Sequence, residues 1–208
     1  MIVHALHILR QELNMYLDSF GTDLNNEVVL GNIAQLETVE QSQGLRNKVV
    51  MTLVGIKEEK TLKNEPFSRR NEVTMKTEYF NPPVFLNLYL LVTASHNNYT
   101  NALIFLSRTA AFFQGKAVFT HFDTAALSAG ANVPDTERMS EFKLIVDLYS
   151  PGFEEQNHIW GMLGGRQLPS LLYFVRLLEV KRAVEHPAGD LIEQIDINAK
   201  PIDKPIVP

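Results

Sequence analysis

The sequence of 208 residues contains no cysteine, which excludes a disulfide framework and any thiolate metal site. It has one tryptophan, and no apolar run approaches the ~18 residues that a membrane-spanning helix needs. A basic stripe is missing too. Nineteen Lys and Arg stand against 24 Asp and Glu, a net charge of −5, and the only basic doublets are Arg69-Arg70 and Lys181-Arg182. A nucleic-acid surface usually clusters its basic residues, so no nucleic-acid partner is expected. Met1-Ile2-Val3-His4-Ala5-Leu6 lacks the basic start and unbroken apolar stretch of a signal peptide, which makes the cytoplasm the expected compartment. There is no internal repeat and no low-complexity tract.

What is present is ordinary for a globular chain: 45% hydrophobic and 21% charged residues. A chain of this length can bury a core without metal or cofactor, and one domain with an extension is expected. Leu6, Leu9, Leu13, Tyr16, Leu17 and Phe20 recur at three- and four-residue steps, predicting an amphipathic helix from Ile2 to Phe20 that ends at Gly21. A short strand is expected at Glu27–Leu30. Lys48–Glu58 is a strong strand, apolar on both faces from Val49 to Val54, the pattern of a sheet covered on both sides by helices or neighbouring subunits.

From Lys57 to Glu78 the sequence turns polar, with Lys57, Glu58, Glu59, Arg69 and Arg70 among its charges. Mixed signs suit a solvated loop or hairpin tip, and a long charged excursion from a rigid sheet also suits contact with a partner. Asn81-Pro82-Pro83 opens a further strand, Val84–Thr93, because proline is tolerated best where a strand begins. A turn at His96-Asn97-Asn98 precedes a helix over Tyr99–Gln114, with Ala102, Phe105, Leu106, Thr109 and Phe113 on one face. A short strand at Ala117–Thr120 and a turn-like stretch at Ala125–Pro134 follow. Then come a strand at Glu141–Ser150, a helix at Phe153–Leu163 and a strand at Leu171–Val180. This order predicts an α+β fold: a mostly antiparallel sheet with helices packed on one face. The domain is expected to span residues 1–182. Residues 183–208, with Pro187, Pro201, Pro205 and Pro208, read as an extended tail.

Catalytic constellations are weak. His4 and His7 lie three apart on the first helix but lack a third ligand at a helical step. His121 and Asp123 alternate as a base and its orienting carboxylate would, yet no nucleophile stands beside them. Gly161-Met162-Leu163-Gly164-Gly165-Arg166 lacks the Lys-Ser/Thr of a phosphate loop and follows a helix rather than opening one. No enzyme activity, cofactor or metal is expected.

Two stretches nevertheless carry a pattern. One is Pro82-Pro83-Val84-Phe85-Leu86-Asn87-Leu88-Tyr89-Leu90-Leu91-Val92-Thr93-Ala94, preceded by Val49–Ile56 and Lys57-Glu58-Glu59-Lys60. The other is Asn157-His158-Ile159-Trp160-Gly161-Met162-Leu163-Gly164-Gly165, then Leu168-Pro169-Ser170-Leu171-Leu172-Tyr173-Phe174-Val175-Arg176. Together they resemble the cap, or tail-terminator, proteins of phage-tail-like contractile injection systems, a family defined by its N-terminal domain. The resemblance runs over residues 1–182 and weakens in the tail. It implies a structural ring, hexameric in such machines, that ends the inner tube and sheath and holds the last sheath layer to the tube. It also implies partners in tube protein, sheath protein and further copies of the chain. Assembly would be cytoplasmic, in a particle that is released or membrane-anchored.

The residues expected to support the fold or an interface are Trp160, Leu163, Gly164, Pro169, Tyr173 and Arg176, with Lys57, Glu58, Glu59, Arg69 and Arg70 in the charged excursion. A tube, adaptor or baseplate component, or a small-molecule-binding protein, remains open on the residues alone.

Overall fold

A computed structural model of the chain describes residues 1–21, 27–37, 44–61, 68–70, 77–79, 81, 83–124 and 133–180. In chain order the main elements are α1 (Ile2–Asp18), β1 (Val28–Leu30), β2 (Val49–Glu58), β3 (Ser68–Arg70), β4 (Thr77–Tyr79) and β5 (Val84–Ala94). They continue with α2 (Tyr99–Gly115), β6 (Val118–Thr120), β7 (Lys143–Tyr149), α3 (Phe153–Met162) and β8 (Ser170–Val180). The described residues fall into two units, a large one within 1–63 and 83–181 and a small one containing β3 and β4. The expected tail, 183–208, and its boundary lie outside the described residues, as does most of the expected turn at 125–134.

The large unit is built on a six-stranded sheet of order β1-β2-β5-β8-β7-β6. β1 runs parallel to β2, and every other neighbouring pair is antiparallel, which matches the expected α+β class. β5 and β8, eleven residues each, occupy the centre. Their alternate residues are apolar on both sides, so both faces need cover.

One face is covered by the two long helices. Leu9, Leu13 and Leu17 of α1 and Phe105 and Phe113 of α2 meet Leu88, Leu90 and Val92 of β5 and Tyr173 and Val175 of β8 in one buried cluster. These are the helical positions at three- and four-residue steps that the sequence placed on one stripe. Phe20 falls just beyond the end of α1 and is 47% exposed. It stacks edge-on with Tyr16 and lies under the guanidinium of Arg108, 4.3 Å from its ring centre. α2 starts where the Asn98 side chain accepts from the Thr100 N–H at 2.9 Å, satisfying one of the first-turn donors.

The expectation of helices on one face thus describes α1 and α2, while the short α3 covers part of the opposite face. Its Trp160, 5% exposed, packs with Val50, Leu91 and Leu172 of the sheet and with Ile33 and Leu45. Gly164 ends the segment at φ +101°, a left-handed conformation that glycine adopts without a Cβ penalty. Gly165, also left-handed, donates its N–H back to the Trp160 carbonyl at 2.7 Å, a helix C-cap. Among the described residues no helix is long and apolar enough to cross a membrane.

β3 and β4 form a separate two-stranded antiparallel ladder, Ser68 opposite Tyr79 and Arg70 opposite Thr77. This ladder falls within the charged excursion expected over Lys57–Glu78.

Two consequences for stability follow from this packing. Trp160→Ala should cost ~3–5 kcal/mol, the usual loss for truncating a large buried aromatic side chain. That is a large share of the ~5–15 kcal/mol that holds a domain together. A thermal melt reads it directly, and an unchanged midpoint would contradict the packing. The second consequence concerns His4, which is buried and accepts the Met139 backbone N–H on Nδ1 at 2.9 Å. An N–H can only donate, so this bond requires an unprotonated Nδ1. Burial first, then the N-terminal amino group, Arg138 and His7, push the His4 pKa below its ordinary value. The unfolded chain therefore binds the proton more readily. The stabilisation from neutral His4 is full above the ordinary histidine pKa and is lost as pH falls through it towards the folded value. Melting midpoints should drop between about pH 7.5 and about pH 5.5, and His4→Asn, which keeps an acceptor but does not titrate, should show a shallower slope.

Candidate assembly interface

The residues singled out in the sequence do not converge on one site. Trp160, Leu163 and Gly164 stand together at the end of α3, where they line, with Ile33, Arg166 and Leu168, a cavity of only about 40 Å³. Pro169 extends the central ladder, its carbonyl accepting the Ala94 N–H at 3.1 Å. Tyr173 faces the other side of the sheet from Trp160. It is 2% exposed, with its ring 4.5 Å from that of Phe113, and burial pushes its phenol pKa well up. The side chains of Trp160 and Tyr173 belong to the core.

Arg176 is exposed on β8 and forms an ion pair with Asp147 on β7. Lys57, Glu58 and Glu59 sit at the far end of β2. Glu59 is fixed there: its carboxylate accepts from the Thr61 hydroxyl at 2.6 Å, the Thr61 N–H at 3.1 Å and the Asn87 amide at 2.9 Å. These donors, the Thr61 hydroxyl foremost, lower its pKa to about 2. Its own N–H donates to the Phe85 carbonyl at 2.8 Å, so it locks the β2–β5 end. Arg69 and Arg70 lie on β3, paired in register with Glu78 and Thr77.

Two of the histidines singled out in the sequence sit in hydrogen-bonded settings. His4 holds Met139, and His121 and Asp123 occupy a turn in which Asp123 accepts the Thr120 N–H at 2.9 Å and the Thr120 hydroxyl at 2.8 Å. These bonds lower the Asp123 pKa and commit its carboxylate to the turn. Among the described residues no group of three or more His, Asp or Glu side chains is placed to hold a metal ion.

The feature that the sequence did not show is an open sheet edge. β1 pairs with β2 only as far as Leu30 opposite Met51. The Thr52 hydroxyl then donates to the Gly31 carbonyl at 2.7 Å and accepts the Ile33 N–H at 3.2 Å. This turns the chain into a 3₁₀ segment, Ile33–Glu37, whose Ile33 and Leu36 pack beside Trp160. Beyond Met51, the outer side of β2 from Thr52 to Glu58 has no strand neighbour among the described residues. Unpaired strand N–H and C=O groups form a template for another strand.

A cleft of about 420 Å³ flanks this edge, lined by Leu30, Thr52, Leu53, Val54, Ile159 and Met162 among others. Ile56 is 51% exposed and Met162 74% exposed, so apolar surface continues along it. The register of β2 against β5 shifts between Leu53 and Gly55, a bulge of the kind that re-aims side chains at functional edges. The available signal was Gly55 inside a run of β-branched and large apolar residues, since glycine in a strand often marks a bulge or close approach.

The fold and this edge can be compared with known proteins. No curated protein matches the sequence. Among solved structures, the sheath/tube terminator of an extracellular contractile injection system (PVC, extended state) superposes with a TM-score of 0.59 at 13% identity, covering 97% of this chain and 64% of the other. The tube-terminating cap of the anti-feeding prophage gives 0.51 at 13% identity, covering 92% and 60%. The chain thus spans somewhat under two thirds of the length of each structure, and at this identity the likeness is one of fold. The family model described as the Pvc16 N-terminal domain matches residues 4–194, which is nearly all of the sequence, and the chain therefore belongs to that family.

Proposed function

We propose that the chain is a non-catalytic cap, or tail terminator, of a contractile injection system. The observation that carries this reading is the fold shared, over nearly the whole chain, with two proteins described as terminators of such particles. The partners are then the inner-tube protein, the sheath protein and further copies of this chain, assembled as a ring of six on the last tube layer. A ring that matches a growing end with one surface and presents a different surface on the other side stops polymerisation.

The open edge of β2 supplies a means of attachment, because an extended segment from a neighbouring subunit can add there as a strand. Main-chain hydrogen bonds would provide the grip, and the apolar cleft beside Met162 would select the side chains. Assembly would be cytoplasmic, within a particle that is later released or anchored at a membrane.

Light scattering and negative-stain imaging of the purified protein, alone and with tube assembled from the tube protein, test the ring. A ring, or a monomer that closes into one on tube ends, is the expected outcome. A monomer that ignores tube ends would overturn it. We also propose that residues 183–208, where Leu191, Ile192, Ile195 and Ile197 are grouped, dock on a neighbouring subunit or on sheath. Deleting 183–208 should leave the melting midpoint of the isolated protein unchanged and give particles with uncapped or over-long tails. Tails of normal length from the truncated protein would remove the tail from the mechanism.

A further inference from the structure

Beside α3 lies a second cavity, of about 290 Å³, whose chemistry differs from that of the apolar cleft. Its walls include Val54 and Gly55 of β2, Tyr89 of β5, Tyr149 of β7, and Glu155 and His158 of α3. Tyr89 and Tyr149 meet edge to face with ring centres 5.7 Å apart. Gly55 keeps the space open, since a Cβ there would come within 3.3 Å of the Tyr89 ring.

The Tyr149 hydroxyl donates to the Glu155 carboxylate, 3.1 and 3.2 Å from its two oxygens, and the Gly152 N–H donates to the same group at 3.2 Å. The Tyr149 and Gly152 donors orient the carboxylate and leave it acceptor capacity, because an ionised carboxylate has about four lone-pair sites. Glu154 and Glu155 stand in the first turn of α3, and the helix carries no Lys or Arg. Arg176, on the same face of the sheet, is paired with Asp147.

Aromatic faces beside a fixed carboxylate form a receptor for a cation with a flat, apolar body. A guanidinium stacks on tyrosine and donates a fork of N–H groups to a carboxylate, whereas an ammonium does only the second well. We propose that this cavity is a specificity pocket for an arginine side chain presented by a partner protein.

The pocket adjoins the open edge of β2 through Val54 and Gly55. A side chain from a strand laid along Thr52–Glu58 would enter across Gly55, which has no side chain of its own to block the way. The proposal deepens the cap reading by naming what the partner segment must carry, and it rests on that reading for the partner's identity only.

The test uses the full chain and two small probes, N-acetyl-arginine amide and its neutral isostere N-acetyl-citrulline amide, titrated against the ¹⁵N-labelled protein. Saturable shifts are expected at the Gly55, Gly152 and His158 amides with the arginine probe and not with citrulline. Glu155→Gln keeps an acceptor for Gly152 and should melt like the wild type, but it should bind the arginine probe about tenfold more weakly. Tyr149→Phe, which keeps the ring and removes the donor that orients Glu155, should give an intermediate loss. Equal shifts with citrulline, no saturable shift at these amides, or undiminished binding by the Gln variant would each overturn the pocket. None of these results depends on whether the protein caps a tube, so failure of the pocket and failure of the cap reading are separable.

Discussion

Everything in the large unit depends on the pairing of β5 with β8. The two strands are antiparallel and in register from Val84 opposite Val180 to Thr93 opposite Ser170, with one irregularity between Leu86 and Leu88. Because both are apolar on alternate sides, neither can face water on either face, and the chain must supply cover twice. α1 and α2 provide it on one side, and α3 with the Ile33–Glu37 turn provides it on the other. The second cover is smaller. Trp160 and the turn protect the end of the sheet near Leu91 and Leu172, while Tyr89, Phe174 and Arg176 further along are less enclosed. The most distinctive surface of the molecule therefore lies where the lesser layer runs out.

The same asymmetry separates packing from recognition. Residues that look prominent in the sequence, Trp160 and Tyr173, are spent on the core. Residues that look bland there, such as Val54, Gly55 and Glu155, line the accessible face. A large aromatic side chain is the cheapest way for a ten-residue helix to hold a sheet, so burial is the expected fate of a lone tryptophan on so short an element.

Much of the fold was legible because its periods are clean. The stripe of Leu6, Leu9, Leu13 and Leu17 marks the buried side of α1, and of the alternating Phe142, Leu144, Val146 and Leu148 the structure buries the first three and leaves Leu148 57% exposed near the end of β7. Element ends were legible where chemistry marks them, as at Asn98 and Gly164. Three things were not legible. The face chosen by α3 depends on which side of the sheet remains bare after α1 and α2 have packed, and no local pattern encodes that. The parallel setting of β1 depends on how the chain returns from α1. The pocket draws one to three residues from each of five elements, so no spacing along the chain brings them near one another. His4 was visible as a helical histidine, but its bond to Met139, 135 residues away in sequence, was not.

The length of β1 has a consequence of its own. Since its three residues occupy β2 only up to Met51 and β2 ends at Glu58, a stretch of seven residues has no strand neighbour on its outer side among the described residues. It measures roughly 23 Å at the usual strand rise. One end is closed by the Gly31 turn, and the bulge at Val54 lies within the stretch. A strand edge closed at one end and kinked within it limits the registers open to an added segment. It also discourages the open-ended sheet extension that a long, flat edge of the same composition would invite.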